Sequence, residues 1–125
     1  MANIRKGGGQ FISRGGTGIV DSMSQTQQVV NDGAYGSVGV LGYKTSQTVS
    51  AGGSGDVGSI DGGADQRIES GGTGSANIVN QGGNQIVSGY GTIAILNGGS
   101  QHVKAGTGLI ATMSSGTQSV DIGAY

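Results

Sequence analysis

Seven glutamines recur along the chain at Gln10, Gln28, Gln47, Gln66, Gln85, Gln101 and Gln118, with spacings of 18, 19, 19, 19, 16 and 17 residues. Two residues after each stands a β-branched apolar residue: Ile12, Val30, Val49, Ile68, Val87, Val103 and Val120. A persistent period near 19 is the signature of a stacked repeat, in which one unit is too small to bury its own apolar face and neighbours bury it together. This constrains function as well as fold, because equivalent rungs present a long surface and seldom enclose an active site.

Within one unit the residues around each glutamine alternate as a half-buried strand does. The position after Gln is mixed (Phe11, Val29, Thr48, Arg67, Ile86, His102, Ser119), the next is always Val or Ile, and the third is mostly polar. The Val/Ile column therefore points inward, and Gln shares its face. A glycine turn follows, as at Gly52-Gly53 and Gly71-Gly72, where glycine permits a tight corner. A second apolar segment carries Val20, Val38, Val57, Ala76, Ile95 and Ala111 ten residues after Gln, and Ile4, Met23, Leu41, Ile60, Val79, Leu96 and Met113 five or six before it. The unit reads strand, turn, strand, turn.

The expected fold is all-β: a single-stranded β-solenoid over residues 1–125, with about six to seven rungs of 16–19 residues and a length of roughly 30 Å. The two shorter spacings are expected to fall in turns. Stacked glutamines would form an amide ladder in which each side chain is satisfied by its own copies. The plainer alternative is that glutamine is simply common here.

Composition narrows the function classes. Glycine supplies 29 residues, cysteine and proline none, and the formal charge is −1. Scattered basic residues argue against nucleic acid, which needs clustered Lys/Arg. No apolar run suits a membrane span, no secretory signal is read at the start, and thiolate metal sites and disulfides are excluded.

The stretch Gly71-Gly-Thr-Gly-Ser-Ala-Asn-Ile-Val-Asn-Gln-Gly-Gly-Asn-Gln-Ile-Val-Ser-Gly89 resembles the strand-loop-strand repeat of AIDA-type autotransporter passengers. Gly98-Gly-Ser-Gln-His-Val-Lys-Ala-Gly106 and Gly7-Gly-Gly-Gln-Phe-Ile-Ser-Arg-Gly-Gly-Thr17 resemble it too, so the likeness runs from about Ile4 to Tyr125. It implies a right-handed β-helix on the bacterial surface, extracellular, acting in self-association, adhesion and biofilm formation, with O-glycosylation of Ser/Thr in some members. The units at Ser24-Gln-Thr-Gln27 and Tyr43-Lys-Thr-Ser46 depart from the Gly-Gly pattern. The tail Gly123-Ala-Tyr125 matches the middle of a rung, so the chain is expected to be a piece of a longer solenoid or a subunit that stacks end to end.

Other candidate sites are weaker. Gly52-Gly-Ser-Gly-Asp56 resembles half of a calcium-binding repeat turn, but such sites need tandem copies, and a glycine corner with an exposed Asp is the expected reading. Asp56, Asp61 and Asp65 share a unit and could meet at a rim as in polysaccharide-cleaving β-helices, but no basic column accompanies them. His102 reads as a surface residue. Gly16-Thr-Gly18 and Gly72-Thr-Gly74 read as turns, not phosphate loops. Phe11, Val29 and Ile86 share an outward column and make a candidate contact stripe, with scattered surface hydrophobes as the alternative.

The reading is thus a non-enzymatic module of a surface adhesin, without cofactor or metal. Its expected partner is itself, head to tail or laterally, or a host surface or glycan. A self-assembling fibre subunit is the alternative, and a polysaccharide-processing β-helix the third class.

Overall fold

The computed structural model describes residues 2–4, 9–12, 14–23, 25 and 27–121, with the side chains of residues 2–4, 9, 10, 21 and 23 left outside. The expectations for the Gln10, Ile4 and Met23 side chains and for the tail at residues 123–125 therefore lie outside the described residues.

The strands follow the repeat in chain order: β1 (Ala2–Ile4), β2 (Gly9–Ile12), β3 (Thr17–Met23), β4 (Gln27–Val30), β5 (Tyr35–Leu41), β6 (Ser46–Val49), β7 (Ser54–Ile60), β8 (Asp65–Ile68), β9 (Thr73–Asn80), β10 (Asn84–Val87), β11 (Tyr90–Val103) and β12 (Thr107–Val120). Every pairing is parallel, in the order β1-β3-β5-β7-β9-β11-β10-β8-β6-β4-β2, with β12 on β11. Each glutamine stacks on the next: Gln10 on Gln28, then Gln47, Gln66, Gln85, Gln101 and Gln118. The fold is a β-solenoid, and no helix occurs among the described residues.

A rung has three sides, not the two that the sequence pattern suggests. In β5 the buried positions are Gly36, Val38 and Leu41, so alternation fails between Gly39 and Val40. A flat strand cannot send residues three apart to one face. Cross-rung pairing skips the same place, running from Val38–Val57 to Val40–Ser59. The chain therefore bends at Gly39, Gly58, Asn77 and Ala94, and this corner needs no loop. Three inward columns result: Val30, Val49, Ile68, Val87 and Val103; Val20, Val38, Val57, Ala76 and Ile93; Leu41, Ile60, Val79 and Leu96, all 3% exposed or less.

The shortened units also change which residues fill those columns. Between β10 and β11 only Ser88 and Gly89 make the turn, where the preceding rung uses residues 69–72. The next apolar residues arrive early: Ile93 pairs with Ala76, and Ile110 with Ile93. Ile95 and Ala111, expected inside, are exposed. The strand register survives, because two of the three residues missing from the 16-residue unit are lost from the turn before Tyr90 and the third is absorbed by a register shift at Asn97/Gly98 within β11. Val120, assigned to the core column, is 47% exposed and Met113 46% exposed, since no described strand lies beyond β12.

Two diverged units keep the turn geometry. Gly63 and Gly82 take positive φ at one corner, and Lys44 (φ 55) adopts it there as well. The Lys44 N–H donates to the Gly63 carbonyl at 3.1 Å, and the Gly63 N–H to Gly82 at 3.1 Å. The stack holds a conformation that costs a non-glycine residue about 1–2 kcal/mol.

A second glycine column faces inward from within the strands. Gly36, Gly55, Gly74, Gly91 and Gly108 are buried opposite the glutamines. A Cβ at Gly55 would stand 2.6 Å from both Gln47 Oε1 and Val49 Cγ2. Gly55→Ala should therefore cost about 1–3 kcal/mol through overpacking. The outward Ser54→Ala should stay within about 0.5 kcal/mol. Urea unfolding of the two variants checks this, and equal losses would contradict the inward placement of Gly55.

Candidate functional site

The glutamine column is a continuous hydrogen-bonded spine. Nε2 of Gln47 donates to Oε1 of Gln28, Gln66 to Gln47, Gln85 to Gln66 and Gln101 to Gln85, each at 2.7 Å, and Gln118 donates to Gln101. All five bonds point the same way. Nε2 also crosses the core to carbonyls of the opposite side: Gln66 to Ser75 O at 3.2 Å, Gln85 to Thr92 O at 3.1 Å. Gln28, Gln47, Gln66, Gln85 and Gln101 are fully buried. The spine satisfies these polar groups and ties two walls together, which is a structural role.

The glutamine side presents the expected outward column, but not as one stripe. Phe11, 66% exposed, stacks on Val29. Thr48 and Arg67 then intervene before Ile86. Val29 and Ile86 are half-buried. His102 Nε2 lies 3.0 Å from Asp121 Oδ1 near the surface.

The three candidate carboxylates do not converge. Asp61 accepts from Asn80 Nδ2 at 2.8 Å and Asp65 from Asn84 Nδ2 at 3.1 Å. Asp56 accepts from the hydroxyls of Tyr35 and Ser75. Asp56 lies within β7, not in a turn. Thr17-Gly18 and Thr73-Gly74 likewise lie in β3 and β9; their glycines leave room for the core, as a Cβ at Gly74 would stand 2.5 Å from Ile68 Cδ1.

The side opposite the glutamines carries what the repeat reading missed. A groove of about 680 Å3 runs across four rungs beside the loopless corner. One wall is Asp56, Ser75, Thr92 and Leu109; the other is Gly58, Asn77, Ala94 and Ala111. Val57, Ala76 and Ile93 turn their side chains into the core, so they offer main chain as the floor. Along one edge runs an outward hydroxyl column, Ser54, Thr73, Tyr90 and Thr107, which Tyr35 continues one rung beyond the groove. Tyr35 and Tyr90 are 37% and 42% exposed. The sequence signal was small residues recurring at the bend, hidden because the last two rungs are shortened.

The hydrogen bond to Asp56, followed by burial and the Asp56 charge, raises the Tyr35 phenol above its ordinary value; a hydrogen bond to Ser37 opposes this. A raised pKa means the neutral phenol's contribution to stability is complete below the unfolded value of about 10 and is lost as pH rises through the folded one. Asp56→Asn should bring the Tyr35 titration down, read from phenolate absorbance against pH. An unchanged titration would contradict the bond.

No family model, no curated protein and no solved structure matches this chain.

Proposed function

We propose that the chain is a non-enzymatic structural and interaction module of a bacterial surface adhesin, acting by self-association or adhesion through its outer faces and rung edges. The fold is a β-solenoid of stacked equivalent rungs, which suits a surface rather than a catalytic centre. The adhesin and cell-surface parts of the reading rest on the strand-loop-strand resemblance in residues 71–89 and 98–106. No helix among the described residues is long and apolar enough to cross a membrane.

The observation that carries self-association is the edge of β12. It exposes Met113 and Val120, which continue the Leu96 and Val103 columns, by 46% and 47%. It also bears the last amide of the spine, whose Nε2 is used on Gln101 and Gly108 O. Among the described residues no donor reaches Gln118 Oε1. No strand pairs the far side of β12 among the described residues, and a strand edge with apolar columns is best complemented by another rung. The one-way spine requires that rung to donate, which favours head-to-tail stacking and so the second reading, a fibre subunit.

Sedimentation of the purified chain over a concentration series tests this. Association is expected to rise with concentration and persist at about 1 M salt, because few charges take part. Val120→Lys should abolish it, and Phe11→Asp should not. The reverse pattern would make the Phe11–Val29 patch the working surface, and a monomer at every concentration would sink self-association.

A further inference from the structure

The geometry points to the four-rung groove as a binding site for a neutral, extended linear glycan. This deepens the reading of the outer faces as the working surface and names the ligand class. The groove lies within the range of about 300–1,000 Å3 typical of ligand sites. Its walls repeat with the rungs, roughly every 4.8 Å along the axis. An extended peptide advances about 3.3 Å per residue and would fall out of step. One pyranose unit of a β-1,4-linked ribbon is close to one rung in length, so successive sugars would meet successive rungs.

The chemistry fits the same class. Asp56 is the one ionisable side chain in the lining, and its oxygens already accept from Tyr35 and Ser75. The lining has no cation for a phosphate, sulfate or uronate. What remains is Ser75, Asn77 and Thr92 interleaved with Ala94, Leu109 and main chain, the mixture that meets hydroxyl rims and apolar ring faces. Tyr90 stands beside the groove's third rung and Tyr35 one rung beyond its first, as exposed aromatic platforms for sugar rings. The wall is also held rigid from inside, since Gln66 and Gln85 fix the carbonyls of Ser75 and Thr92. A preordered wall loses little entropy on binding.

The test is a backbone-amide NMR titration of the whole chain with cellohexaose to about 10 mM, enough to detect a Kd near 1 mM. Saturable shifts are expected at residues 56–58, 75–77, 92–94 and 109–111. Maltohexaose, whose α-linked chain curls, and tetragalacturonate, which is anionic, should bind at least about fivefold more weakly, a difference of about 1 kcal/mol. Asn77→Ala and Tyr90→Ala should each weaken cellohexaose by about five- to tenfold, with the amide spectrum showing an intact fold. Shifts elsewhere, equal affinity for the three sugars, or no shift at all would overturn the proposal. Sedimentation of Asn77→Ala is expected to be unchanged, so failure of the glycan site and failure of self-association are separable.

Discussion

Val49→Asp is expected to abolish folding at neutral pH, while Ser50→Asp one residue away leaves stability within about 0.5 kcal/mol. Val49 is fully buried between Val30 and Ile68 in its column. An aspartate there has apolar neighbours above and below, so it must stay protonated or drag water into the stack. Holding a carboxyl neutral at pH 7, about three units above its unfolded pKa, costs roughly 4 kcal/mol, and the lost valine burial adds about 1.5–3 kcal/mol. That is comparable to the whole stability of a small domain, about 5–15 kcal/mol. Because the folded pKa of the new carboxyl is raised, the loss should shrink as pH falls toward its unfolded value near 4. Circular dichroism across pH reads both variants. If Ser50→Asp unfolded the chain as readily, the register would be wrong by one residue.

Gln66→Leu should cost about 2–5 kcal/mol even though it adds apolar surface. Gln66 donates to Gln47 and accepts from Gln85, both at 2.7 Å. Its loss strands an acceptor on one side and a donor on the other, each buried and each worth about 1–3 kcal/mol when left unmade. Gln66→Glu separates shape from hydrogen bonding, since it keeps the size but cannot donate when ionised. It should be at least as damaging at pH 7 as leucine. Thermal unfolding measures the series, and a neutral Gln66→Leu would show that the spine is incidental.

The period made the stacking direction and the glutamine register legible, because both follow from seven residues at one place in a repeat. The spine could be expected from the same column, since Gln shares the face of the buried valine two residues on. The third side was not legible. A bend at Gly39, Gly58 and Asn77 has no turn signature, and alternation through it looks like noise until Val38 and Leu41 are both seen inside. The error at Ile95 and Ala111 has a different cause: counting from Gln assumes a constant turn length, and the turn before Tyr90 is shorter. The groove was hidden by both effects, as it lies beside the bend and spans the rungs whose lengths change. The divergence at Lys44 misled in the opposite sense, since the corner keeps its shape without glycine.

The most direct test of the account is an NMR measurement on chain labelled with 15N at glutamine. The structure requires the Gln66 side-chain amide to show cross-relaxation to those of Gln47 and Gln85, each 19 residues away. It also requires these protons to exchange slowly with solvent, as buried, bonded groups do. Rapidly exchanging side-chain amides without glutamine-to-glutamine contacts would contradict the stacked register from which the rest of the account is built.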